Sequence, residues 1–141
     1  MRKKPSYLAN LQKPVLGAKI LLRRLKNKRI KLAIVSNSNS KQTAFLLKKF
    51  QLRKYFDLVI DDSFPLPEKP HFERINFVIN KFGIKPKNAV LVEDNVSTIV
   101  SAKKHGVKTA GVLTGNAAKK ALSKVKTDIV IDSVKDLIKV I

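Results

Sequence analysis

Residues 89–106 read AVLVEDNVSTIVSAKKHG, and this stretch decides the fold. Ala89–Val92 is an apolar, β-branched run of the kind that forms a strand buried in a parallel sheet. Glu93 and Asp94 stand at its carboxyl end, where open α/β sheets place their ligands. Ser97 is a fair N-cap for the helix that follows, Ile99 and Ala102 can face the sheet, and Gly106 suits the position after its last turn. Adjacent acids at a strand tip point to a hard cation such as Mg²⁺. The same pair also reads as solvated loop acids, and position alone does not separate the two.

Working outward, the chain alternates strands and helices. Pro14 suits a helical first turn, and Val15, Ala18, Leu21, Leu22 and Leu25 recur at helical spacing, predicting a basic helix over residues 14–31. LAIV predicts a buried strand ending at Val35, and residues 36–40 are a polar turn and capping cluster. A helix over 41–50 directs Thr43, Leu46, Leu47 and Phe50 to one face. Residues 57–60 form a short strand, and 61–70 a loop with Pro65, Pro67 and Pro70. Phe72, Ile75, Ile79 and Phe82 define an inward helix face that Gly83 closes. Beyond the opening stretch, a strand is expected over 109–113, a helix over 117–124, an edge strand over 128–131 and a closing helix over 134–141. Five strands alternating with helices predict an α/β fold: a Rossmann-like, doubly wound parallel sheet with helices on both faces. Residues 14–141 read as one core domain. Residues 1–13 read as a basic, poorly ordered lead-in.

The 141 residues are 44% hydrophobic, enough for one packed core. There is no Cys, which excludes disulfides and thiolate chemistry. His71 and His105 lie far apart, so a His-pair metal site is not expected; both read as surface or helix-end residues. No apolar run approaches a membrane span and no signal-peptide core follows the basic start, so no membrane partner and a cytoplasmic location are the expectation. The charge is lopsided. Thirty Lys and Arg against ten Asp and Glu give +20, and the first acid in the chain is Asp57. Such a field favours polyanions: nucleic acid, anionic lipid, phosphorylated substrates or an acidic partner chain. A Lys-rich, merely solvated surface would read the same way, and stacking aromatics do not interleave with the basic residues.

Three polar features follow successive strands: Ser36-Asn37, Lys69 in the Pro-rich loop, and Glu93-Asp94. Strand ends of a parallel sheet share one edge, so the three can converge. A hydroxyl with neighbouring N–H groups, an ammonium and a cation-binding carboxylate pair make a phosphate site.

In their order and spacing these segments resemble the core of the haloacid dehalogenase (HAD) superfamily, most nearly its phosphoglycolate phosphatase and β-phosphoglucomutase-like branch. KLAIVSNS resembles the second motif, which implies a phosphate-binding role for Ser36 with Asn37 beside it. PLPEKPHFERINFVINKFGIKP resembles the third, which gives that role to Lys69. AVLVEDNVSTIVSAKKHGVKTAGVLTG resembles the fourth, whose paired acids would hold Mg²⁺ through Glu93 and Asp94. PVLGAKILLRRLKNK resembles the helix leading into the second motif. The resemblance covers residues 14–141 and implies a Mg²⁺-dependent phosphatase-type hydrolase of small phosphate monoesters.

The first motif, DxDx[TV], is missing. Its first Asp would attack phosphorus and its second act as general acid/base. Asp61-Asp62 is adjacent rather than alternate and follows the wrong strand. The strand bearing that motif would lie between those ending in Ser36 and Glu93, and the cap usually inserted after it is missing too. Alone, the chain is expected to be inactive, with the strand either supplied by an acidic partner chain or lost at a misplaced start. The alternative is a non-catalytic basic module that binds nucleic acid or an acidic chain.

Overall fold

A computed structural model gives the fold and describes residues 14–113 and 119–139. The elements run α1 (Ala18–Asn27), β1 (Ala33–Val35), α2 (Ser40–Lys49), β2 (Leu58–Ile60), α3 (Glu73–Phe82), β3 (Val90–Glu93), α4 (Val96–Lys104), β4 (Lys108–Val112), α5 (Lys119–Lys124) and β5 (Ile129–Ile131). Short 3₁₀ helices at Arg53–Tyr55, Pro86–Asn88 and Val134–Lys139 complete the order. The expected lead-in over residues 1–13 lies outside the described residues.

Among the described residues all strand pairs are parallel, as the alternation predicts, but the sheet is in two pieces. One pairs β1 with β2, setting Ala33 opposite Leu58 and Val35 opposite Ile60. The other has the order β3-β4-β5. The break falls between β1 and β3, where the missing strand is expected. Right-handed crossovers from β1 to β2 and from β3 to β4 run in opposite directions across the sheet, so α2 and α4 fall on opposite faces. Val35 of β1 and Leu91 of β3 pack against one core of Ile75, Ile79, Ala102 and Val107. A shared core thus holds the two pieces side by side.

The break corrects the reading of β3 as a fully buried strand. Val90 is 60% and Val92 41% exposed. Side chains alternate across a strand, so Leu91 takes the face covered by α3 and α4 and its neighbours take the uncovered one. β4 has a strand on each side, and its Thr109, Ala110 and Val112 are buried.

Several element ends also differ from expectation. Gly17 sits at φ +82°, so α1 starts at Ala18 rather than Pro14. A Cβ at Gly17 would lie 2.7 Å from the Lys135 Cβ, so the closing segment requires glycine there as well. The cap of α4 is Asn95, whose side chain accepts from the Thr98 N–H; Ser97 lies two residues further on, inside the first turn. The closing segment is 3₁₀, not α. Gly83, at φ +65°, ends α3 as expected.

Two carboxylates pin the other ends of the strands. Asp57 accepts from the Leu32 N–H at 2.9 Å and from Lys26 Nζ at 3.2 Å. Asp128 accepts from the Thr109 N–H at 2.8 Å and its hydroxyl at 2.9 Å. The Leu32 N–H, then Lys26, holds Asp57 below the usual carboxylate range. Thr109, then Lys103, does the same for Asp128. Depressed folded values stabilise the fold above the unfolded pKa of about 3.9, and this is lost as pH falls through the folded values. An Asp57→Asn, Asp128→Asn double variant is therefore expected to unfold at lower urea than the wild type at pH 7. The two midpoints should converge as pH falls below the folded values. Equal midpoints at pH 7 contradict the assignment.

Candidate phosphate and cation site

β1 stops at Val35 and hands over to Ser36. The Ser36 N–H donates to the Ile60 carbonyl at 2.8 Å, which extends the ladder by one rung. Its hydroxyl oxygen accepts from the Ser38 N–H at 3.0 Å, so the chain turns sharply off the sheet. Asn39 then caps α2 through the Lys41 and Gln42 N–H groups. Asp62 accepts from the Ser40 N–H, and Asp61 from Ser63. These two acids are loop-fixing groups.

The loop of residues 61–70 returns over the end of β1. The Asn37 amide donates to the Lys69 carbonyl at 3.0 Å, and the Lys69 N–H donates to the Asn37 side-chain oxygen at 3.0 Å. This two-point pairing fixes the backbone at Lys69 and leaves its side chain to cross the break. Lys69 Nζ donates to Glu93 Oε2 at 2.8 Å, with side-chain exposures of 17% and 8%. The other Glu93 oxygen accepts from the Asp94 N–H at 3.1 Å and the Asn95 N–H at 3.2 Å.

The five expected residues, Ser36, Asn37, Lys69, Glu93 and Asp94, border one cleft of about 580 Å³. The structure also sorts them. The Asn37 side chain is spent on the Lys69 backbone. Both Glu93 oxygens are spent on Lys69 and the turn into α4. Among the described residues no third His, Cys, Asp or Glu joins the acids to make a metal cluster. Mg²⁺ takes one or two protein carboxylates and fills its remaining positions with water and phosphate oxygens. Asp94 and Glu93 both border the cleft, with Glu93 also held by Lys69 and the turn into α4.

His71 and His105 border a different cleft, of about 760 Å³, between α3 and α4. His105 is the C-cap of α4, and its ring stacks on Phe72 with centroids 3.9 Å apart. The sequence reading missed Arg74. It occupies a slot on the inward face of α3 beside Ile75, Val78 and Ile79, and is 2% exposed. A cation at an apolar position was the available signal.

The chain can now be set against known proteins. The family model described as haloacid dehalogenase-like hydrolase matches residues 2–112. Pyrophosphatase PpaX of Bacillus pumilus is 31% identical over 120 residues, which cover 85% of this chain and 56% of the relative. Phosphoglycolate phosphatase 1 of Pseudomonas aeruginosa is 28% identical over 117 residues, covering 83% and 43%. A crystal structure of a predicted phosphoglycolate phosphatase from Haemophilus somnus superposes with a TM-score of 0.83 at 27% identity, covering 95% of this chain and 61% of the other. The chain thus spans about half the length of the curated relatives it matches.

Breaking a buried ion pair by removing one partner leaves a charge without compensation. Lys69→Met is expected to destabilise the fold by about 3 kcal/mol. A Lys69→Met, Glu93→Gln double variant should recover at least half of that loss, because no buried charge remains. Urea unfolding of the four proteins checks this. A double variant no more stable than Lys69→Met contradicts it.

Proposed function

The chain belongs to the haloacid dehalogenase-like hydrolases, and we propose that it is the phosphate- and Mg²⁺-binding part of a phosphatase acting on phosphate monoesters of small molecules. The observation that carries this is the convergence of Ser36, Lys69 and Asp94 on one cleft beside the break between β1 and β3. The Ser36 hydroxyl and the Asn37 N–H are hydrogen-bond donors toward a phosphate oxygen, and Lys69 supplies a full positive charge. Asn37 holds the Lys69 backbone, and Glu93 orients its ammonium. Asp94 would hold Mg²⁺, which would neutralise charge developing on the phosphate oxygens. The relatives named as phosphoglycolate phosphatase and pyrophosphatase support a small phosphorylated substrate.

The nucleophile comes from another segment. Parallel strands sit about 4.8 Å apart, and an extended segment entering the break would hydrogen-bond β1 on one side and β3 on the other. Val90 and Val92 offer an uncovered apolar strip for its side chains. A parallel strand of pattern DxDx[TV] would bring its carboxylates to the end that holds Lys69. The first Asp would attack phosphorus, forming the P–O bond to its carboxylate as the ester P–O bond breaks. The second would protonate the leaving alcohol, and water would then hydrolyse the acyl phosphate. Exposed cations on α1 and α2, among them Arg23, Arg24, Lys41 and Lys48, favour the approach of an acidic strand and an anionic substrate.

Peptides of pattern DxDx[TV] flanked by apolar residues test this. With Mg²⁺ and p-nitrophenyl phosphate, the full chain is expected to release phosphate only when such a peptide is added. Lys69→Ala or Asn at the peptide's first Asp should lower the rate at least about 100-fold. No release with any such peptide overturns the proposal.

A further inference from the structure

Arg74 is 2% exposed, and no carboxylate meets it among the described residues. A buried guanidinium without a counter-anion is costly to desolvate, so its hydrogen bonds have to compensate. Nε donates to the Leu66 carbonyl at 2.9 Å, Nη2 to the Phe64 carbonyl at 3.0 Å, and Nη1 to the Ser36 carbonyl at 3.3 Å. The first two belong to the loop that carries Lys69, and the third belongs to the end of β1. Phe64 also packs its ring on Phe77, one turn further along α3, with centroids 4.7 Å apart.

The Ser36 contact reaches the site through one peptide plane. In a trans peptide the C=O and the following N–H point in opposite directions. The Ser36 carbonyl turns to Arg74, which does not border the cleft, whereas Ser36 and Asn37 do. The Asn37 N–H is therefore turned away from Arg74. It donates to no acceptor among the described residues, although the Ser36 and Ser38 N–H groups on either side both do. A cation on the carbonyl also polarises that peptide and strengthens its N–H as a donor.

We propose that Arg74 is the positioning residue of the anion site. Its planar fork holds the Lys69 loop against β1 and aims the Asn37 N–H at the bound anion, without itself touching it. A point-charge ammonium cannot span three carbonyls in this way. This rests on the reading of the cleft as a phosphate site.

The test uses the full chain and inorganic phosphate, followed by amide NMR, with hydrogen exchange measured separately in the absence of phosphate. Phosphate is expected to shift the Asn37 amide in the wild type. Arg74→Met should weaken phosphate binding about tenfold or more, and Arg74→Lys should fall between the two. Lys81→Met, which removes an exposed charge from the last turn of α3, should bind as the wild type does. Without phosphate, the Lys69 amide should exchange at least about tenfold faster in Arg74→Met. Wild-type affinity or wild-type Lys69 exchange in that variant overturns the proposal. If Arg74→Met does not fold, the same criteria apply to Arg74→Lys, which keeps the charge and loses the fork. If the wild type binds no phosphate, the phosphate reading fails by itself, and the exchange rates still decide whether Arg74 positions the loop.

Discussion

The ion pair between Lys69 and Glu93 is the constraint on which the site depends. Lys69 comes from the loop after β2 and Glu93 from the end of β3, so the 2.8 Å contact spans the break in the sheet. Burial raises the strength of the pair by lowering the local dielectric. It also demands that both partners be placed accurately, because an imperfect pair would leave a buried charge exposed to neither water nor counter-ion. The surrounding hydrogen bonds supply that accuracy. Asn37 fixes the backbone of one partner, and the Asp94 and Asn95 N–H groups fix the carboxylate of the other. A residue set spread over three strand ends becomes one cleft because these local bonds are all made together.

The broken sheet is the second constraint, and it separates what holds the fold from what the fold presents. The core of Ile75, Ile79, Ala102 and Val107 lies on one side and gathers Val35 and Leu91 from the two pieces. This face can close without a strand in the gap. The opposite face cannot, and Val90 and Val92 show it by their exposure. A common core thus gathers the two parallel pieces on one face.

Charge is distributed by function as well as by number. Most of the thirty Lys and Arg decorate the surface, where solvent screens them. Among the described residues Arg74 is the one Lys or Arg that is fully buried. Its partners are all carbonyls, so its charge is dispersed over the backbone that shapes the cleft rather than cancelled by an acid. Lys69 is part-buried and paired with Glu93. The +20 total and the two cations at the site are therefore separate facts. The first sets the long-range field and the second sets the local geometry.

The sequence by itself determined the alternation of strands and helices, the Gly83 stop and the polar turn after β1. It also determined which residues would stand at the strand ends. These follow from local rules: side-chain period, capping chemistry and the order of segments along the chain. Tertiary structure alone decided which atoms of those residues are already in use. No spacing in the sequence tells that the Asn37 amide is spent on Lys69, or that Glu93 serves Lys69 and the α4 turn. Arg74 looks like a misplaced charge in an apolar helix face until the folded loop brings three carbonyls to it. The exposure of Val90 and Val92 is of the same kind. Their β-branched side chains set strand propensity within the segment, but burial depends on which neighbours the rest of the chain delivers.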